Sequence, residues 1–276
     1  MDEIKLEKPL ELIFPNEKHI TLMLVGCGGT GSWLASAVAR VGKILIERFN
    51  HEVSLYFIDP DQVEEKNIYR QNFCAAEIES NKAETLAARF GLAWGIEISA
   101  MSKKYNEVIY SIRDLDHAIV IGCVDSTSAR IEIAESMKNH DMGAWLDCGN
   151  SESYGQILLG VKNPHKDPFS IPGKCGLLPL PHIQHPELIA EGHKTELSKL
   201  LAQPCSPFSC ADMAMRDSQG LAINQRMAAE AADYLVRMLI TRDLKKFATY
   251  IDLESGTTRS KYITEKAVNE YGKNRV

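Results

Sequence analysis

The sequence predicts an α/β protein on a doubly wound, Rossmann-like sheet, parallel in its first half, mixed with antiparallel strands in its C-terminal half and carrying a long crossover loop. Three observations lead there. Apolar runs of strand length alternate with helical patterns through the first 150 residues, as βαβ units require. A glycine-rich turn, GCGGTG at 26–31, joins the first such run to the first helix, where open α/β sheets bind phosphates. Near the end, KFATYIDL and TTRSKYIT flank Ser255-Gly256 like the arms of a hairpin.

Each element follows in order. HITLMLVG is a continuous apolar run, which suits a strand buried on both faces, and GTGSWLASAVARVGKILIERF after it repeats its apolar residues at helical spacing. EVSLYFID is the second strand; NKAETLAARFGLAW gives a helix, IEISAM a short strand, and residues 106–114 a further helix. HAIVIGCVD is a strand, Ser126 to about His140 a helix, and AWLDCG and YGQILLGV are strands. From Lys162 to Ser209 runs a stretch rich in proline and histidine, and a loop of that length inside a compact domain is usually functional. Within it HPELIAEGHKTELSKLLA has an amphipathic pattern, and a long helix is predicted from Asp217 to Ile240. The chain is read as one domain: a nucleotide-binding half at 1–160, the long loop at 161–210, and the terminal helix and hairpin at 211–276.

Bulk properties narrow the function. A net charge of -6, spread along the chain, gives nucleic acid no basic surface to bind. No run approaches the roughly 18 apolar residues of a membrane span. The N-terminal MDEIKLEKPLELIF mixes acids with lysines and shows no export signal, so a cytoplasmic location is expected. Seven cysteines without a CxxC pair suit buried thiols in a reducing compartment.

The chemistry concentrates after two strands. Gly26, Gly28, Gly29 and Gly31 let backbone approach a phosphate or ribose, and the helix N-terminus beyond them favours negative charge. Asp59, ending the second strand, is placed to accept ribose hydroxyls. Either an NAD-type or an ATP-type ligand fits these features. The stretch DPDQVEEKNIYRQNF at 59–73 separates the two, because Asp61, Asn67, Arg70 and Gln71 crowd the mouth of the sheet and Lys82 heads the next helix. Arginine offers a planar fork of donors to phosphate oxygens and lysine a point charge, which suits a triphosphate.

GCGGTG, DPDQVEEKNIYRQNF, NKAE and CVDSTSAR, in that order and spacing, resemble the adenylating enzymes of the ThiF, MoeB and ubiquitin-activating superfamily. The likeness covers about 20–160 strongly and 205–240 more loosely, and the long middle region with SQGLAINQRMAAEAADYLVRML looks most like the ThiF-type proteins of PRTRC plasmid systems. The resemblance implies that ATP and Mg2+ activate the C-terminal carboxylate of a small ubiquitin-like, β-grasp or sulfur-carrier partner as an acyl-adenylate. It implies phosphate contacts at Asn67, Arg70, Gln71 and Lys82, a magnesium-associated Asp125, a homodimer, and a reactive-loop cysteine at the position of Cys210. A buried structural thiol is the alternative reading of Cys210, Cys205 and Cys175 are alternatives for the reactive thiol, and a helix N-cap is an alternative role for Asp125.

Two features depart from the pattern. The paired CxxC motifs of a zinc site are missing; Cys175, Cys205 and Cys210 with His182, His185 or His193 match no common zinc module, and these histidines read as loop surface. No arginine precedes the first strand to reach across a dimer, only Lys5, Lys8 and Lys18. Two other functions stay open on sequence: an NAD-dependent oxidoreductase, and a nucleotide-binding scaffold without catalysis.

Overall fold

The computed structural model describes residues 7–112, 115–139, 143–162, 167–190 and 210–271, leaving the side chains of 210–219 outside the description. After a short strand β1 (Glu11–Leu12), the chain enters β2 (His19–Val25), turns through the glycines into α1 (Gly29–Phe49) and returns as β3 (Glu52–Ile58). Then come α2 (Lys82–Trp94), β4 (Ser99–Met101), α3 (Tyr105–Val108), β5 (Ile119–Gly122), α4 (Thr127–Asn139), β6 (Ala144–Asn150) and β7 (Tyr154–Val161). The remainder is β8 (Lys174–Cys175), α5 (Pro181–Gln184), α6 (Cys210–Leu239), β9 (Lys246–Asp252), β10 (Thr257–Tyr262) and α7 (Glu265–Asn269).

Eight strands form one sheet in the order β10-β9-β7-β6-β5-β2-β3-β4. From β4 to β6 neighbouring strands are parallel; β7, β9 and β10 are added antiparallel. The chain leaves β2 toward β3 and later comes back to pair β5 on the other side of β2. That reversal opens a crevice beyond the carboxyl ends of these strands, and the polar segments end there.

Burial on both faces explains the uninterrupted apolar strands. Along β2, Leu22 and Leu24 join one core with Leu34, Val38 and Leu45 of α1, while Met23 and Val25 join a second with Tyr105, Ile133 and Trp145. On α6, Ile223, Met227, Ala231, Tyr234, Leu235 and Met238 recur every three or four residues and bury against the first core. This is the stripe a helix needs to lie along a sheet.

Several boundaries differ from expectation. The helix expected at 106–114 is α3, which tightens into a 3-10 turn at Ile109–Ser111. The terminal helix starts at Cys210, seven residues before Asp217. The crossover loop has structure of its own: β8 pairs in parallel with β1, and α5 is followed by a 3-10 turn at Pro186–Leu188. That turn stands where the amphipathic helix was expected to start at His185, and it gives way to irregular backbone at Ile189; the rest of that helix, at 191–202, lies outside the described residues.

One buried bond tests how α6 is fastened. Tyr234 Oη lies 2.9 Å from Thr249 Oγ1 on β9, and Thr249 also meets Glu230 and Ser260. Because Thr249 keeps those partners, Tyr234→Phe is expected to cost about 1 kcal/mol of unfolding free energy in chemical denaturation. An unchanged midpoint would show that the bond adds nothing to the docking of α6.

Candidate active site

The glycine loop is shaped by close backbone approach. Gly26 has φ +87°, and a Cβ there would lie 2.6 Å from the Cys123 carbonyl oxygen. A Cβ on Gly31 would lie 1.9 Å from the Gly26 carbonyl oxygen, so the loop closes on itself at that residue. Gly28 is different. A Cβ there would make only ordinary van der Waals contact, with Gln71 Nε2 at 3.8 Å.

Asp59 ties this loop to the segment after β3. Its Oδ2 accepts the Cys27 amide at 2.6 Å and its Oδ1 accepts the Asp61 amide at 2.8 Å. Burial pushes the Asp59 carboxyl above its ordinary range, opposed by those two N–H donors and by the Lys82 ammonium. The side chain also lines the cavity, where the ribose role was expected.

The polar segment is a folded wall. Asn67 is buried and its Oδ1 accepts the Glu64 amide at 2.9 Å, holding a 3-10 turn. That turn aims Gln71 inward: Gln71 is 6% exposed, and its Oε1 is buried with no hydrogen-bond partner among the described residues. Such an orphaned acceptor is uncommon in folded chains; the residue lines the cavity, and it is Gln71 Nε2 that lies beside Gly28. Arg70 is exposed at the cavity, with its carbonyl accepting Trp33 Nε1 at 3.2 Å. Lys82, 6% exposed, places Nζ 3.1 Å from Asp61 Oδ2. Asn81 sets Lys82 at the first helical position: its Oδ1 caps α2 through the Glu84 amide at 3.0 Å, and its Nδ2 donates to the carbonyls of Asp59 and Asp61.

Beyond β5, Asp125 is exposed and lines the same cavity. The cap of α4 falls to its neighbour, since Ser126 Oγ accepts the Ala129 amide at 3.3 Å, leaving the Asp125 carboxylate without that duty. One turn on, Arg130 Nε donates to both carboxylate oxygens of Asp147, at 3.1 and 3.3 Å. Asp147 is fully buried; burial raises its carboxyl and the Arg130 charge opposes the rise.

One cavity of about 850 Å³ therefore gathers Gly26, Gly28, Gly29, Asp59, Asp61, Asn67, Arg70, Gln71, Lys82 and Asp125. Gly31 lies behind this surface, buried in the first turn of α1. Sequence reasoning missed Thr30, Asn150 and Asn224, which form a network at the α1 N-terminus. Thr30 Oγ1 donates to Asn150 Oδ1 at 3.1 Å, Asn150 Nδ2 to Asn224 Oδ1 at 2.9 Å, and Asn224 Nδ2 reaches the Arg70 carbonyl at 3.4 Å. A lone asparagine, Asn224, among the apolar residues of α6 is the one signal in the sequence that could have found it. The lining carries as many carboxylates (Asp59, Asp61, Glu64, Asp125, Glu132, Glu152) as cations (Lys66, Arg70, Lys82, Lys103, Lys104, Arg130), so individual side chains, not an overall positive field, must hold an anion.

The thiols sort by position. Cys175 is fully buried with Sγ 3.1 Å from the Leu177 carbonyl oxygen, a core residue out of a substrate's reach. Cys148 lines the cavity, but its hydrogen bond with Cys123 and its burial hold the thiol well above its usual range, which keeps it protonated and poorly nucleophilic. Cys210 opens α6 with its side chain outside the described set, and Cys205, His193 and Lys5 lie outside the described residues. Among the described residues no three metal-ligating side chains of the histidine, cysteine and carboxylate types gather. The histidines are not simple loop surface: His182 stacks on Trp145 with ring centroids 5.9 Å apart, and His185 bridges Glu187 and the Tyr250 hydroxyl at 2.7 Å each. Lys18 pairs with Glu52 at 2.7 Å.

The glycines divide by consequence. Gly31→Ala forces the turn open and is expected to cost about 3 kcal/mol or more in denaturation. Gly28→Ala should lose less stability and yet weaken nucleotide binding in calorimetry by about tenfold. Equal stability losses, or undiminished binding by the alanine at 28, would contradict this division.

The chain is similar to several known proteins. The chain is 27% identical over 159 residues to ubiquitin-like modifier-activating enzyme 5 of Dictyostelium discoideum, a match spanning 51% of this chain and 38% of that relative's length. Among solved structures, PaaA superposes with a TM-score of 0.58 at 15% identity, covering 90% of this chain and 74% of its own. E. coli MccB, crystallised with AMPCPP and MccA, gives 0.59 at 16% identity, covering 88% and 63%; at such identities the likeness is one of fold. Residues 17–216 match the ThiF family, and the chain belongs to it.

Proposed function

We propose that this protein uses ATP to adenylate the C-terminal carboxylate of a small ubiquitin-like protein. The carrying observation is that Arg70, Lys82 and Asp125, from three separate segments, meet the open glycine loop in one cavity. MccB, seen with AMPCPP and MccA, and the activating enzyme from Dictyostelium support the same reading for a ThiF-family chain.

In the reaction, an oxygen of the partner's carboxylate attacks the α-phosphorus. A C(O)–O–P link forms, the bond from the α-phosphorus to its bridging oxygen breaks, and the electron pair leaves with pyrophosphate. The loop at Gly28 and the α1 N-terminus receive phosphate oxygens. Gln71, lining the cavity with Nε2 beside Gly28, offers its side-chain amide to the ligand. Arg70 and Lys82 meet the charge that grows on the departing pyrophosphate, the kind of stabilisation that contributes most to such barriers; Lys82 is already held in place by Asp61.

The site also fits magnesium, which commonly takes one or two carboxylates plus substrate phosphates. Asp125 would hold it, and the metal would supply the positive charge that the balanced lining lacks. Cys210 is the proposed acceptor should the acyl group pass to a thioester, since thiolates are strong nucleophiles. A homodimer is proposed on family resemblance alone.

Arg70→Ala and Asp125→Ala are each expected to lower ATP–pyrophosphate exchange, measured with candidate β-grasp proteins, by about 100-fold or more, with unchanged melting temperatures. Exchange at the wild-type rate in both variants would remove the assignment. Cys210→Ala should form the adenylate and fail to form an enzyme-linked adduct by intact-mass spectrometry; an adduct of wild-type yield would acquit that thiol.

A further inference from the structure

A second cavity, of about 740 Å³, lies against the antiparallel half of the sheet, with Tyr154, Leu188, Tyr250 and Arg259 in its walls. It meets the nucleotide cavity at the end of β6. Among the described residues Arg130, Asn150 and Ser151 line both spaces, and Arg130 is the charged one of the three. We propose that Arg130 is the residue that receives and orients the acceptor carboxylate at this seam; the inference rests on the adenylation reading above.

The geometry of the Arg130–Asp147 pair carries the argument. Arg130 contacts both Asp147 oxygens through Nε alone, so its two terminal nitrogens are not spent on that pair. The chain leaves room for one of them: a Cβ on Gly149 would lie 3.0 Å from Arg130 Nη2, so the guanidinium end sits over the glycine that immediately precedes Asn150 and Ser151. Asp147, fully buried, fixes the guanidinium in one orientation. A planar fork with a free edge is the donor geometry that a carboxylate matches.

The pairing also suits the chemistry. An unpaired buried arginine would bind the carboxylate ground state strongly and damp its nucleophilicity. Asp147 cancels the net charge, leaving directional N–H donors that hold the carboxylate in line without trapping it, and interactions that do not over-stabilise the ground state leave the barrier lower. Arg130 takes no proton. One carboxylate oxygen attacks the α-phosphorus while the other, which becomes the acyl carbonyl, stays on the Arg130 fork.

The test compares two ligands in calorimetry: ATP, and 5′-O-(N-glycylsulfamoyl)adenosine, a stable mimic of an acyl-adenylate that carries the acyl carbonyl. Two variants are used, Arg130→Lys, which keeps the charge, and Arg130→Met with Asp147→Leu, which removes the buried pair together and so leaves neither charge alone; thermal melting checks that each is folded. In both, ATP affinity is expected to stay within about twofold while the mimic binds about tenfold more weakly. Equal losses for the two ligands would make Arg130 a structural or general nucleotide residue, and an undiminished affinity for the mimic would clear it of contact with the acyl group; either overturns the proposal. Failure of the wild-type protein to bind ATP and the mimic would instead sink the adenylation reading itself.

Discussion

The site depends on the carboxylate of Asp59. Two backbone amides, those of Cys27 and Asp61, converge on its two oxygens at 2.6 and 2.8 Å. One belongs to the glycine loop after β2 and the other to the polar wall after β3, so a single side chain sets the distance between the two surfaces that flank the cavity. Hydrogen bonds to a buried carboxyl are costly to lose, because the donors are left without partners. Asn81 repeats the device from the other side, joining the carbonyls of Asp59 and Asp61 to the cap of α2. Lys82 follows directly on that cap, so its position is inherited from the same lattice.

Charge is distributed with similar economy. The cavity has no net positive lining, and its two buried cations are placed by specific partners: Lys82 by Asp61 and Arg130 by Asp147. A uniformly basic pocket would attract any polyanion. A balanced one discriminates by geometry, since only a ligand whose oxygens reach the unshared edges of these groups gains from them.

Much of this was legible in the sequence. The strands of the parallel half, the turn at 26–31 and the hairpin follow from periodicity and turn residues, and the polar segment after β3 reads as a site because no buried strand needs such an ending. What stayed hidden is what depends on remote partners. Asn224 is one polar residue on an apolar helical stripe and acquires meaning only when α6 sets it against Asn150 and the Arg70 carbonyl. Arg130 and Asp147 sit 17 residues apart on a helix and a strand, with no local pattern linking them. Asp125 and Ser126 compete for one cap on sequence, and only the observed bond to Ser126 separates them. The two-residue strands β1 and β8 are too short for any period to show.

Those short strands bear on the order in which the molecule assembles. The amides of Leu10, Glu11, Leu12 and Ile13 donate to the carbonyls of Ile263, Gly173, Leu244 and Cys175. Every one of these acceptors lies in the last two-fifths of the polypeptide. During synthesis, which proceeds at roughly 5–20 residues per second, this segment therefore waits for partners that are made much later than itself. A nascent chain halted between residues 175 and 244 has only the acceptors at Gly173 and Cys175 to offer this segment, and one halted before residue 173 has none of the four.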